Sequence, residues 1–216
     1  MIRHHPSPDI LCAYAAGSLP PGAALVVACH VEACPACARD VSLWEGVGGA
    51  LLDETAPLAM SEGALDRALA ALAGPVAKEP ASPALPVWLR GNALPAALRR
   101  QTIGPRRWLT PSIWFAPVSV APRGGARTYL VYGRPNTTLP RHTHTGYEYT
   151  AILGGGYRDA LGDFDAGDFV ETDESVLHAP GVTADDSCLC LISSGGPMKV
   201  DGLIARLVQL YAGELY

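Results

Sequence analysis

The sequence contains no apolar run of about 18 residues, the length that a membrane-spanning helix needs. Its first residues also lack the apolar core of a secretory signal. Charged residues make up only 17% of the 216 residues, but a hydrophobic content of 49% is too high for a disordered chain. We therefore expect a folded, cytoplasmic protein with no membrane partner.

Basic residues are scarce in the first third of the chain. Residues 1–75 carry three basic and eight acidic side chains, whereas the remainder has thirteen of each sign. Proteins that bind nucleic acid directly place Lys and Arg against phosphates, so we expect no direct nucleic-acid binding. The acidic part would suit a basic protein partner, although it could also serve solubility alone.

A group of possible metal ligands lies near residue 30. His30, Cys34 and Cys37 form an H-x3-C-x2-C run, and thiolate and imidazole are the ligands of structural zinc sites. In a reducing compartment, cysteines at such spacings indicate metal ligands or reactive thiols before disulfides. A tetrahedral site needs a fourth ligand from elsewhere. The candidates are His4, His5, Cys12 and Cys29.

Helical patterns fill the first 75 residues. Ser7-Pro8-Asp9 has the residues of a helix start, and Gly17 ends the apolar stripe that follows. Further helices are predicted at 23–33, from Cys34 through Leu51, and from a Ser61 cap to Gly74. A bundle of this size gains much of its stability from a bound metal.

The composition and pattern of the sequence change twice after residue 75. Residues 76–95 are rich in Pro and Ala, as in a linker. Beyond them, short alternating segments separated by Gly, Pro, Asn and Asp predict a β-sandwich or small barrel. The predicted strands are 113–120, 128–132, 147–153, 169–171 and 187–193. Residues 201–212 are predicted to form a helix, with a final strand as the alternative. This gives three parts: 1–75, 76–95 and 96–216.

A second group of possible ligands lies in the strand-rich part. His142 and His144 point to the same face if they lie on a strand, and Glu148 and His178 follow. Three imidazoles and a carboxylate can hold Zn²⁺, Mn²⁺, Fe²⁺ or Ni²⁺ and leave room for a small ligand. Farther on, the alternating pair Cys188 and Cys190 is either part of the core or an oxidisable pair.

These features resemble the ChrR-type zinc-binding anti-sigma factors, which carry a cupin-like C-terminal domain. The resemblance rests on the H-x3-C-x2-C run, the opening Ile2-Arg3-His4-His5, and the segment Leu-Cys-Ala-Tyr-Ala-Ala-Gly at 11–17. The order H-x-H…E…G, ending at Gly155, is similar to the first cupin motif, and His178 corresponds to the histidine of the second. The usual Pro-x-Gly of that second motif is absent.

The resemblance implies an α + β two-domain fold. A small helical bundle held by zinc would be followed by a cupin (double-stranded β-helix) barrel. The implied zinc ligands are His5, His30, Cys34 and Cys37. The implied ligands of a divalent metal in the cupin are His142, His144, Glu148 and His178.

The resemblance also implies a regulatory function and no catalysis. The helical part would sequester a sigma factor of the extracytoplasmic-function type. The cupin part would help to sense oxidative stress, singlet oxygen or an organic peroxide, and release that partner. The alternative is a metal-dependent cupin enzyme, a dioxygenase or isomerase, with a helical accessory domain.

Overall fold

The computed structural model describes residues 1–74, 82–120 and 127–201. Within these residues, helices come first and strands follow. The helices are α1 (Pro8–Ala15), α2 (Pro21–Ala33), α3 (Pro35–Asp53), α4 (Ala64–Leu72) and α5 (Ala96–Arg99), with a 3₁₀ turn at Val87–Leu89. Residue 75, residues 76–81 of the predicted linker, and all but the first residue of the predicted element at 201–212 lie outside the described residues.

Local sequence explains where the helices begin. Proline occupies the first position of α1, α2 and α3, where its fixed φ suits a helix and its missing N–H is not needed. The predicted Ser61 cap of α4 is wrong, because the chain turns at Gly63 with φ of 68° and the helix begins at Ala64. The Ser61 hydroxyl instead accepts a hydrogen bond from the Arg67 guanidinium, at 2.8 Å.

The strand-rich part, which we call the β-domain, contains all five predicted strands. Its strands are β1 (Thr102–Ile103), β2 (Arg107–Thr110), β3 (Ile113–Ser119), β4 (Arg127–Gly133), β5 (His142–His144), β6 (Glu148–Gly154), β7 (Gly156–Asp159), β8 (Gly162–Asp165), β9 (Phe169–Thr172), β10 (Gly181–Val182), β11 (Cys188–Ser194) and β12 (Met198–Val200). A large sheet has the order β1-β3-β4-β11-β6-β9, with β2 also pairing with β3. The two smaller sheets are β10-β7-β8 and β12-β5, and all these pairs are antiparallel.

The large sheet is buried on both faces. Because side chains alternate along a strand, Leu191 of β11 packs towards the helices while Cys190 packs into the β-domain. Helix α2 lies on the first face and contributes Val26 and Val27, both fully buried. A side chain at Gly22 would collide with the Thr128 and Ser193 hydroxyls, so glycine permits this close approach. Helices α1, α2 and α5 and the start of α3 therefore share one hydrophobic core with the first face of the sheet.

The end of the predicted linker is also attached to this core. Leu89 and Leu94 are buried in it. The Glu32 carboxylate, at the end of α2, accepts hydrogen bonds from the backbone N–H groups of Ala96 and Ala97 at 2.6 and 2.7 Å. These groups begin α5, where an acidic side chain is favourable. Residues 85–97 are thereby fixed against α2.

Most of α3 and all of α4 lie outside the core. Only Cys37 and Val41 are buried in α3, and α4 has no buried residue. The exposed apolar residues of these two helices are Leu43, Trp44, Val47, Leu51, Leu52, Leu65, Leu69 and Leu72, which we call the apolar surface. Among the described helices, none is by itself long and apolar enough to cross a membrane. Helices α2 and α3 pass that test only together, and they are bent by 119° at the break between them.

Candidate metal centres

The first centre forms where α2 gives way to α3. His30 lies in the last turn of α2, and the chain then bends at Cys34, which has extended backbone angles. The Cys34 N–H still donates to the His30 carbonyl at 2.9 Å, while its own carbonyl accepts from the Ala38 N–H in the first turn of α3. This bend places Cys34 and Cys37 beside the His30 ring.

Four predicted side chains meet at this bend. His5, His30, Cys34 and Cys37 each offer one ligand atom, and all four atoms lie within 4.8 Å of one another. His30 Nε2 is 3.3 Å from Cys37 Sγ, and His5 Nδ1 is 3.4 Å from both sulfurs. Tetrahedral zinc with bonds of 2.0–2.3 Å separates its ligand atoms by about 3.6 Å. The spacing of the four atoms is therefore close to that of a tetrahedral metal site.

Of the open candidates for the fourth ligand, the structure places His5 at the cluster. The His4 ring turns away and contacts Phe164, with a centroid distance of 4.6 Å. Its Nε2 is 3.2 Å from the Asp163 carbonyl. Cys12 and Cys29 stand outside the cluster, and burial raises the pKa of Cys29 to about 12.

In the first centre the His30 ring is ready to bind a cation, whereas the Cys37 thiol must first lose its proton. The His30 Nδ1–H donates to the Gly167 carbonyl at 2.8 Å, which leaves the Nε2 lone pair pointing at the cluster. Burial lowers the pKa of His30 to about 4, so its ring is neutral at pH 7. Burial, together with hydrogen bonding to Cys34, raises the pKa of Cys37 to about 12. A metal that binds here must displace thiol protons, which is usual for zinc–thiolate sites.

The second centre lies inside the β-domain. His142 and His144 are on the same face of β5, as predicted, and both are buried. His178 joins them through a pair of backbone hydrogen bonds with His142, at 2.9 and 3.0 Å. The ligand atoms of the three histidines lie within 4.8 Å of one another. Glu148 is not a member of this closest set, but its Oε2 is 3.2 Å from His144 Nε2.

Neighbouring oxygens orient two of these rings. The His142 Nδ1–H donates to the Pro140 carbonyl at 2.7 Å, and the His178 Nδ1–H donates to the Asp159 carboxylate at 2.9 Å. Each bond leaves Nε2 free for a metal, as in many histidine-ligated sites. Asp159 was not predicted from the sequence, because it belongs to no recognisable motif and only the fold brings it to His178.

Electrostatics and missing hydrogen bonds also mark the second centre. Burial lowers the pKa of His142 to about 4 and that of His144 to about 3, so both rings are neutral at pH 7. Burial raises the pKa of Glu148 to about 8. Among the described residues, Nδ1 of His144 and Nε2 of His178 have no hydrogen-bond partner, and Nε2 of His144 has only its ion-pair contact with Glu148. A divalent cation would satisfy these buried lone pairs.

A cavity of about 60 Å³ adjoins the second centre. His142, Glu148 and His178 line one part of it, and mostly apolar side chains line the rest. Cys188 and Cys190 also face it, and their sulfur atoms are 3.4 Å apart. The space is large enough for a small ligand beside a metal, since one water needs about 10–15 Å³ by this kind of measure.

Comparison with known proteins covers almost the whole chain. The ChrR cupin-like domain family matches residues 104–197. The anti-sigma-E factor ChrR of Cereibacter sphaeroides is 34% identical over 208 residues, which are 96% of this chain and 97% of that protein. The structure is also similar to the crystal structure of Rhodobacter sphaeroides SigE in complex with the anti-sigma ChrR. That match has a TM-score of 0.74 at 34% identity, and covers 90% of this chain and all of the other.

Proposed function

Because the chain belongs to the ChrR family of anti-sigma factors, we propose that it binds and sequesters a sigma factor of the extracytoplasmic-function type. Its function is then regulatory and not catalytic. The observation that carries the proposal is the uncovered apolar surface of α3 and α4 in a chain whose relative was solved with its sigma partner. Exposed apolar side chains in this number on two helices are typical of an interaction site.

The apolar surface has the arrangement of a helix-mediated interface. Leu43, Val47 and Leu51 are spaced by four residues on α3, and therefore lie along one side of the helix. Leu65, Leu69 and Leu72 are spaced by four and three residues, and likewise lie along one side of α4. Acidic residues of the same helices (Asp40, Glu45, Asp53 and Asp66) would favour a partner with a basic surface.

The first centre would supply the rigidity that this interface needs. We infer that His5, His30, Cys34 and Cys37 hold a zinc ion, since two thiolates and two imidazoles are a common structural zinc set. The metal would join the N-terminal segment to the bend between α2 and α3. It would thereby set the direction in which α3 leaves the core, and with it the position of the apolar surface.

The second centre would be the sensor. His142, His144 and His178, with Glu148 beside them, would hold a divalent metal, Zn²⁺, Mn²⁺, Fe²⁺ or Ni²⁺. Its cavity gives a small molecule a place beside that metal. A signal weakens the grip on the partner only if it favours one arrangement of the chain over another.

Oxidative stress is the signal that we propose, as singlet oxygen or an organic peroxide. Cys188 and Cys190 line the cavity beside the second centre. An organic peroxide would oxidise one thiol to a sulfenic acid and be reduced to the corresponding alcohol, which balances oxygen and electrons. The sulfenic acid is larger and more polar than the thiol, and both cysteines are buried.

A metal-dependent cupin enzyme remains the second candidate, and the cavity beside the three histidines is the observation that favours it. Turnover of a small substrate by the metal-loaded full chain would support an enzyme. Unchanged substrate in every metal-loaded form would count against it.

Co-expression with the sigma factor from the same host tests the leading proposal. The full chain should purify as a complex with zinc, and Cys34→Ser with Cys37→Ser should abolish both the zinc of the first centre and the complex. Cys12→Ser is the matched control, because Cys12 is a free cysteine outside the cluster. An intact complex in the double-serine variant would overturn the role given to the first centre.

A further inference from the structure

The N-terminal segment does not reach the first centre on its own. Residues 2–4 lie along the turn between β8 and β9, and His5 follows directly. The His4 carbonyl accepts a hydrogen bond from the Phe169 N–H at 3.0 Å, so the N-terminal segment lies beside the start of β9. The Arg3 guanidinium pairs with Asp165 at 2.8 Å. A side chain at Gly167, which has φ of 95°, would collide with Ile2.

Asp168 is the central group of this contact. Its carboxylate is fully buried in the structure. One oxygen accepts hydrogen bonds from the backbone N–H groups of Arg3 and His4, at 2.7 and 3.1 Å. The other accepts the Asp165 N–H at 3.0 Å, which closes the turn. Burial alone would raise the pKa of Asp168, but these three hydrogen bonds outweigh it and hold the pKa below its ordinary value.

The same turn also contacts His30, a second member of the metal cluster. The Gly167 carbonyl accepts the His30 Nδ1–H at 2.8 Å, which fixes the ring with Nε2 towards the sulfurs. The turn therefore positions both imidazoles: His30 directly, and His5 through the segment that Asp168 holds. Both cysteines, in contrast, are positioned by the bend between α2 and α3.

We propose that Asp168 is a positioning residue of the first centre, and that the β8–β9 turn of the β-domain forms the outer shell of that metal site. The proposal rests on the proposed function in one respect, since it requires that the cluster binds metal. Outer-shell groups that orient histidine ligands commonly change metal affinity by about 10- to 100-fold when removed.

One strand connects this turn with the second centre. β9 begins at the turn, and at its other end Thr172 lies opposite Glu148, the acidic residue of the second centre. A displacement of β9 at the second centre would move Gly167 and Asp168 at the first. By reciprocity, if the turn strengthens metal binding at the first centre, bound metal stabilises the turn by the same free energy.

Metal titration of the full chain tests the proposal. Cobalt(II) would be titrated against a competing chelator, and binding at the first centre would be followed by the thiolate-to-cobalt absorption that Cys34→Ser with Cys37→Ser removes. We expect Asp168→Ala to weaken binding about 10- to 100-fold and to alter the ligand-field spectrum. Asp168→Asn, which keeps one acceptor oxygen, should have a smaller effect in the same direction.

The control is Asp186→Asn, because Asp186 accepts hydrogen bonds only from Ser187 in the described contacts. If Asp168→Ala lowers the melting temperature but leaves cobalt affinity and spectrum equal to those of the control, the residue is merely structural and the proposal is wrong. If the wild-type chain shows no thiolate-dependent absorption, the role proposed for the first centre fails and this inference fails with it.

Hydrogen exchange on the wild-type chain gives a second test that needs no variant of Asp168. Metal binding should slow exchange at the amides of Asp165 and Phe169, which are donors in and beside the turn. The Ser187 amide should not change, and the double-serine variant should show no slowing at any of these positions. Unchanged exchange in the turn on metal binding would contradict the proposal.

Discussion

Leu51 allows the clearest test of the proposed partner surface. It lies near the end of α3 and is 63% exposed. Full burial of a leucine contributes about 1.5–3 kcal/mol, so burial of the exposed part would contribute about 1–2 kcal/mol to binding. Since about 1.4 kcal/mol is a tenfold change in affinity, Leu51→Ala should weaken sigma binding about 5- to 30-fold.

The free protein should tolerate this substitution. Alanine is the strongest helix former, and exposed substitutions usually change stability by less than about 0.5 kcal/mol. Calorimetric titration with the sigma factor would give the affinity, and thermal denaturation would give the stability. Leu161→Ala is the matched control, because Leu161 is also an exposed leucine but lies between β7 and β8. Equal affinities for the two variants would refute the assignment of the apolar surface.

Three further predictions concern the core, the second centre and the thiol pair. Leu191→Ala removes a fully buried side chain from the shared core and should lower the free energy of unfolding by about 2–5 kcal/mol. Denaturant titration measures this free energy. A loss of stability no larger than that of Leu161→Ala would contradict the shared core. Burial raises the pKa of Glu148 to about 8, so this carboxyl is protonated at pH 7. Metal binding at pH 7 should therefore release nearly one proton more from the wild-type chain than from Glu148→Gln. This difference should vanish above about pH 9, where Glu148 is already ionised. Calorimetry in buffers of different ionisation enthalpy measures that proton, and equal release by both chains would exclude Glu148 as a ligand. Cys188→Ser with Cys190→Ser should slow release of the sigma factor by an organic peroxide, measured by loss of the complex, whereas Cys12→Ser should not; unchanged release in the double variant would exclude the pair from sensing.

The sequence predicted the elements of the fold because their signals are local. Proline at the first helical position and alternation along short strands are properties of neighbouring residues, and the helices and strands predicted within the described residues before 201 were found. The histidines of β5 were placed on one face for the same reason. The Ser61 cap failed because serine and glycine compete to begin α4, and the left-handed turn at Gly63 decides the start.

Local sequence does not specify the contacts between distant parts of the chain. The spacing of His4 and His5 does not distinguish them, whereas in the structure His4 packs on Phe164 and His5 lies at the cysteines. Gly167 and Asp168 carry no metal-site motif, and they reach the first centre only because α2 packs on the large sheet. The composition of residues 76–95 likewise gave no sign that Leu89 and Leu94 would be buried.

The zinc environment of the purified sigma complex tests the central claim most directly. X-ray absorption would be measured on a chain with His142→Ala and His178→Ala, so that the first centre alone binds metal. The account predicts one zinc with two sulfur neighbours at about 2.3 Å and two nitrogen neighbours at about 2.0 Å. A stable complex that contains no zinc, or zinc without sulfur neighbours, would contradict it.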